Sequence, residues 1–174
     1  HAVEVEISGV ANPVISNVDL SAGLAYVQMP KPLSVDEVMV QDTMRPVVHM
    51  EGIDHVIMEG ADADEELAEA ALHAMGKWQP SACGILFLKG DEMTPVVYVR
   101  STESLIWESS CGSGSVACAC YLAASTGMLN KNGIYKLKFT EPGGVIEAGV
   151  MVKGHEIIQC MMGGAIELAG EEAL

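Results

Sequence analysis

The 174-residue chain is 49% apolar, with mean hydropathy +0.28, and carries a formal net charge of −15. Such apolar content excludes a disordered chain, and the acidic balance argues against nucleic acid or an anionic membrane as partner. The length suffices for one domain, or two small lobes, with a real core.

The sequence starts at His1, directly in an alternating pattern of Val3, Val5 and Ile7 against Glu4, Glu6 and Ser8. This predicts a strand over 2–8 and the expectation that further sequence precedes it. Asn12-Pro13 and Gly23 punctuate two more strands, 14–18 and 24–29. Pro30 and Pro32 mark an expected lobe boundary. Residues 34–40 read either as a short helix or as a polar-edged strand. Two short strands, 47–50 and 55–58, flank Gly52.

A surface helix is predicted over 64–75, capped by Asp62 or Asp64, with Leu67, Ala71, Leu72 and Met75 inward and Gly76 at its end. Strands at 82–88, 95–100 and 105–107 lead into the stretch that organises the rest. It opens with Cys111-Gly112-Ser113-Gly114-Ser115, and no charge occurs from Cys111 to Leu129. A helix over 113–127, apolar on all sides, must lie inside a domain, and so short a run cannot cross a bilayer. Ser113 or Ser115 is expected to cap its first turn, and Gly127 to end it. Beyond it come strands 134–140, 145–152 and 156–162, the last two joined by a hairpin at Lys153-Gly154-His155. Gly163-Gly164 is expected to break the run before a final strand, 165–168. The fold class implied is α+β, a curved and mainly antiparallel sheet wrapped round a central buried helix.

Five cysteines, at spacings that match no zinc pattern, imply no metal site and a reducing, cytoplasmic compartment. Cys111 differs from the others. The first helical turn offers unpaired N–H groups and partial positive charge, and Gly112 and Gly114 let an anion approach. The same field is expected to favour the Cys111 thiolate as base or nucleophile. Cys118 and Cys120 read as structural cysteines inside the helix.

The run from Leu105 through Trp107-Glu108-Ser109-Ser110-Cys111-Gly112-Ser113-Gly114 resembles the diaminopimelate epimerase-like superfamily. Glu141-Pro142-Gly143-Gly144 before a strand and Met161-Met162-Gly163-Gly164-Ala165 are similar too, as are Tyr26-Val27-Gln28-Met29-Pro30 and Ser8-Gly9. The Ser-Leu-Ile-Trp-Glu run looks especially similar to histidine racemases that feed opine-type metallophore synthesis. The resemblance implies cofactor-independent racemisation or epimerisation of an amino acid between two similar lobes. Each lobe places one cysteine at the start of its central helix. One thiol removes the Cα proton while the other delivers a proton to the opposite face.

By that resemblance Cys111 is one of the two acid–base thiols, and Gly112 and Ser113 present N–H groups to the substrate carboxylate. Glu108 would lie near the substrate's amino or side-chain group. Either Asp54 or His55 occupies the position of a family histidine. Residues 30–164 would form the carboxyl-terminal lobe, with 1–29 and 165–174 as strands of the other. Diaminopimelate epimerases carry Asn-Pro-His where this chain has Ile53-Asp54-His55, and a longer Arg-containing loop before the cysteine, so diaminopimelate is not the expected substrate. No Cys-Gly-Asn-Gly motif accompanies Cys111, so the amino-terminal lobe is expected as a missing partner. The chain alone is then expected to be inactive, and a homodimer is possible. Alternative readings are an isomerase of the phenazine-biosynthesis branch and a non-catalytic module that binds small carboxylates.

Overall fold

A computed structural model describes residues 2–6 and 10–167. Twelve strands and two α-helices alternate as follows. The first six strands are β1 Ala2–Val5, β2 Val14–Asp19, β3 Leu24–Met29, β4 Ser34–Val40, β5 Thr43–His49 and β6 Asp54–Glu59. Helix α1, Glu65–Met75, precedes β7 Ala82–Lys89, β8 Glu92–Val99 and β9 Ser104–Trp107. Helix α2, Gly112–Ser125, leads through a short 3-10 turn to β10 Gly133–Glu141, β11 Gly144–Lys153 and β12 Glu156–Ala165. The class is α+β, with a mostly mixed sheet and two helices. No helix among the described residues is long and apolar enough to cross a membrane.

The sheet runs β1-β2-β3-β12-β11-β10-β8-β7-β6-β5-β4, with β9 added to β8. Pairing is antiparallel except at β6–β7 and at a single residue pair, Thr140 with Glu92, between β10 and β8. Strands β5 to β8 are buried on both faces, so their alternation sorts side chains between two cores rather than between core and water. Val48, Ile57, Leu86, Leu88 and Met93 join α2. Their neighbours Val47, Val56, Met58, Ile85, Phe87 and Val96 join Ala68, Ala71 and Met75 of α1. Val116 to Cys120 and Ala123 of α2 are almost wholly buried, and they also meet Phe139, Ala148, Val150 and Cys160 from β10, β11 and β12.

Helix α1 begins as its sequence dictates. Asp64 accepts the Leu67 N–H at 2.9 Å, and Glu65 and Glu66 complement the helix amino end. Residues 34–40 form a strand, not a helix. Strand β5 begins at Thr43, earlier than expected, because Pro46 lies outside the β5–β6 ladder and interrupts nothing there. The β11–β12 hairpin turns through Gly154 and His155 at φ 63° and 67°, the pair of left-handed residues that a type I′ turn requires.

Two expectations are corrected. Gly163-Gly164 does not break the chain. Strand β12 continues through both to Ala165, paired with β3, because the missing side chain at 163 lets the Ala25 carbonyl approach to within 2.0 Å of where a Cβ would stand. The separate strand at 165–168 is therefore absent as far as residue 167, and residue 168 lies outside the described residues, as do residues 7 and 8 of the first predicted strand. Second, neither Ser113 nor Ser115 caps α2. Cys111 itself occupies the N-cap position, at φ −138° and ψ 99°, and its side chain makes no capping bond.

Candidate active site

Period-two alternation in β6 decides between Asp54 and His55. His55 shares the face of Ile57 and points to α2, whereas Asp54 lies on the other face, 2.9 Å from Nδ1 of His49. His55 is wholly buried, and its Nε2 lies 3.1 Å from the Ser113 hydroxyl. Ser113 Oγ in turn lies 3.6 Å from the Cys111 sulfur. The Glu108 carboxyl, just past the end of β9, is near enough for it and Cys111 to shift one another's titration. The structure thus gathers His55, Ser113, Cys111 and Glu108 and turns Asp54 away.

Space for this arrangement comes from Gly84, the cross-strand neighbour of His55. A Cβ there would stand 2.1 Å from His55 Nδ1. Burial holds the His55 imidazole down at about 3, so the ring is neutral at neutral pH. Nδ1 has no hydrogen-bond partner among the described residues. The tautomer that keeps its N–H paired therefore carries the proton on Nε2 and donates to Ser113, leaving the serine's own proton free for the cysteine sulfur.

Cys111 is 6% exposed, against 0–2% for Cys83, Cys118, Cys120 and Cys160. Its pKa is raised rather than lowered, which corrects the expected effect of the helix terminus. Burial is the largest cause, and the Glu108 and Glu141 carboxylates add to it, while the nearby Ser113 hydroxyl and the Gly114 amide dipole act the other way. The Cys83 thiol is pushed up to about 12, chiefly by burial, and burial also raises Cys118 well above its ordinary value. Cys120 is raised by its 3.6 Å contact with Cys160 and by burial. Among the five, Cys111 is expected to be alkylated first in the folded chain. Peptide mapping after limited iodoacetamide treatment checks this; earlier labelling of Cys83 or Cys160 would contradict it.

One member of the site was not singled out from sequence. Glu141, 5% exposed, accepts the Cys111 N–H at 2.6 Å and lies 2.6 Å from the Ser115 hydroxyl. The Glu-Pro-Gly-Gly motif was visible, but its contact with a residue 30 positions away was not. The Gly143 N–H locks the same hairpin onto the Ser109 carbonyl at 2.6 Å. The amides of Gly112 and Ser113 make no hydrogen bond among the described residues, and the Met162 thioether packs against the Gly112 Cα. Beside Ser113 lies a cavity of about 160 Å³, lined mainly by Met29, Met50, Ile53 and Glu51.

A sheet of this order, with a cysteine at the amino end of a buried helix, belongs to a racemase-type, diaminopimelate epimerase-like class. A crystal structure of a probable proline racemase from Agrobacterium radiobacter K84, solved with bound carbonate, matches with TM-score 0.62 over 95% of this chain and 57% of that one. At 14% identity the likeness concerns the fold alone. Residues 1–173 match the family model described as histidine racemase CntK N-terminal domain, and the chain belongs to that family. That description names an amino-terminal domain, whereas the motifs pointed to a carboxyl-terminal portion. Histidine racemases from two strains of Fusobacterium nucleatum subsp. nucleatum are each 33% identical over 130 residues, 71% of this chain and 47% of theirs. The chain spans about half the length of the curated relatives it matches.

Proposed function

We propose that this chain supplies one acid–base cysteine, Cys111, to a cofactor-independent amino-acid racemase, and that the substrate is histidine, as the names of its relatives suggest. The observation that carries this reading is the placement of the least buried thiol at the N-cap of a buried helix, between Glu108 and the Ser113 hydroxyl that His55 holds. Inversion at Cα needs a proton acceptor and a proton donor on opposite faces. Cys111 is one. Ser113 and His55 steady it, the amides of Gly112 and Ser113 are offered to the substrate carboxylate, and Glu108 faces the amino or imidazole group. The other four cysteines are packed among apolar side chains and serve the core.

The second proton-transfer group then comes from the remaining length of the parent protein. In this account residues 30–164 form one lobe, a sheet wrapped round α2, and residues 1–29 and 165–174 belong with the other. The site closes only when both lobes are present, which excludes water from the reacting carbon.

The test is incubation of L-histidine and a panel of other L-amino acids in deuterated water, followed by chiral separation and deuterium counting at Cα. The longer protein is expected to give D-histidine labelled at Cα, with Cys111→Ala slower by about 10²- to 10⁴-fold. The 174-residue chain by itself is expected to form no D-isomer. Robust racemisation by the short chain, abolished by Cys111→Ala, would put the second base inside it. A longer protein that racemises nothing would remove the reading.

A further inference from the structure

We propose that Glu141 is a positioning residue that anchors the N-cap residue of α2 by its own N–H and helps to keep the Cys111 thiol in its protonated, proton-donating form at rest. The inference rests on the reading of Cys111 as an acid–base group. A helix N-cap is ordinarily a Ser, Thr, Asp or Asn whose side chain folds back on the first-turn amides. Here the N-cap is a cysteine whose side chain caps nothing. Glu141, at the end of β10, instead reaches the N-cap residue's own N–H. One carboxyl oxygen takes the N–H of Cys111 and the other meets the hydroxyl of Ser115. In a capping box a Glu of the helix itself reaches back to the N-cap amide; here a separate strand provides it. Freed from capping, the sulfur faces Glu108 and Ser113 instead.

The capping group also carries charge. The groups that act on the Glu141 carboxyl are Ser115, Cys111 and Glu108, and none is a cation. Those that face the Cys111 sulfur are Ser113 and the Gly114 amide, Glu108, Glu141, Cys118 across the first turns of α2, and the neutral His55 through Ser113. A helix amino end would draw a proton off a cysteine. Burial is the main cause that leaves the proton on Sγ, and a carboxylate bonded to that same terminus adds to it by offsetting the pull. Ser115 Oγ also lies 3.1 Å from the Cys111 carbonyl, a second acceptor for its proton.

Glu141→Gln separates the cap from the charge. The amide oxygen still accepts the Cys111 N–H, and the amide nitrogen donates to Ser115, whose proton turns to the Cys111 carbonyl. The Cys111 titration, read from the pH dependence of alkylation with peptide mapping, is expected to fall, by up to about one unit. In the longer protein the limb of the racemisation pH profile that belongs to Cys111 should move the same way. A cap with no electrostatic part would lower stability and leave the titration where it was, and that result overturns the proposal. The unaltered chain gives a test that needs no variant: its Cys111 midpoint must lie above the value of about 8.5 for a free cysteine, and a lower one refutes the proposal. Failure of the parent reading looks different. If Cys111→Ala still racemises in the longer protein, both fall. If Cys111→Ala is dead and Glu141→Gln leaves the titration unmoved, only the role of Glu141 falls.

Discussion

Gly84→Ala is expected to destabilise the chain by about 3 kcal/mol, at the upper end of what overpacking costs. The new Cβ would lie 2.1 Å from Nδ1 and 2.6 Å from Cε1 of His55, a ring with no exposed surface and no free direction of retreat. Strand β6 holds the ring against α2 in fixed register, His55 opposite Gly84. Moving it breaks the 3.1 Å bond to the half-buried Ser113 and leaves the buried imidazole without its one partner among the described residues. Urea unfolding measures the loss, and the rate of Cys111 alkylation should change with it because Ser113 is no longer held. Trimming the ring in a His55→Ala, Gly84→Ala double variant should recover part of the deficit. A Gly84→Ala chain within about 0.5 kcal/mol of the parent, the usual range for an inconsequential site, would show that the ring is not confined as described.

Acid is expected to weaken the fold well before its carboxylates are neutralised. Native His55 titrates at about 3 and an unfolded histidine at 6.5, so below the higher value the unfolded chain takes a proton that the native chain refuses. The contribution is intact above that unfolded value and is lost as pH falls toward the native one. Each pH unit inside the window removes about 1.4 kcal/mol, so descent to pH 4.5 costs roughly 2 to 3 kcal/mol from this ring alone. Glu141 and Glu108 act with the opposite sign, since burial raises both above their ordinary value. Their contribution is present below the unfolded pKa and is lost as pH rises through the folded one, which offsets part of the slope. Urea titrations across this range should show a shallower pH dependence for His55→Asn than for the parent. Equal slopes would mean that His55 is not the group responsible.

The sequence made the strand content and α2 legible because both follow from local pattern: alternation for most strands, an unbroken apolar run for the helix. It was less informative where a local signal competes with a long-range one. Residues 34–40 are mostly exposed on an outer strand, with only Val38 and Val40 turned fully inward, so neither helical nor strand periodicity dominates. Gly163-Gly164 looked like punctuation, yet the glycine at 163 serves the close pairing of β12 with β3. At the candidate site, the cysteine, its glycines and the neighbouring glutamate lie within a few residues of one another. The choice between Asp54 and His55 required knowing which face of β6 meets α2. The Glu141 contact required knowing where a hairpin lands, which no local pattern records.

Thr140 and Glu92 are the single residue pair that joins β10 to β8. On one side of that seam lie β1, β2, β3 and β10 to β12; on the other lie β4 to β9. So slender a ladder transmits little cooperativity between the two half-sheets. Their side chains nevertheless share one core, with Phe139, Ala148, Val150 and Cys160 from one half and Val48, Ile57, Leu86 and Met93 from the other, all packed round α2. The helix that carries Cys111 at its tip is therefore also the bolt between the halves. Strain applied to either half reaches the thiol through the packing of that rod and, from the β10 side, also through Glu141 on the Cys111 N–H.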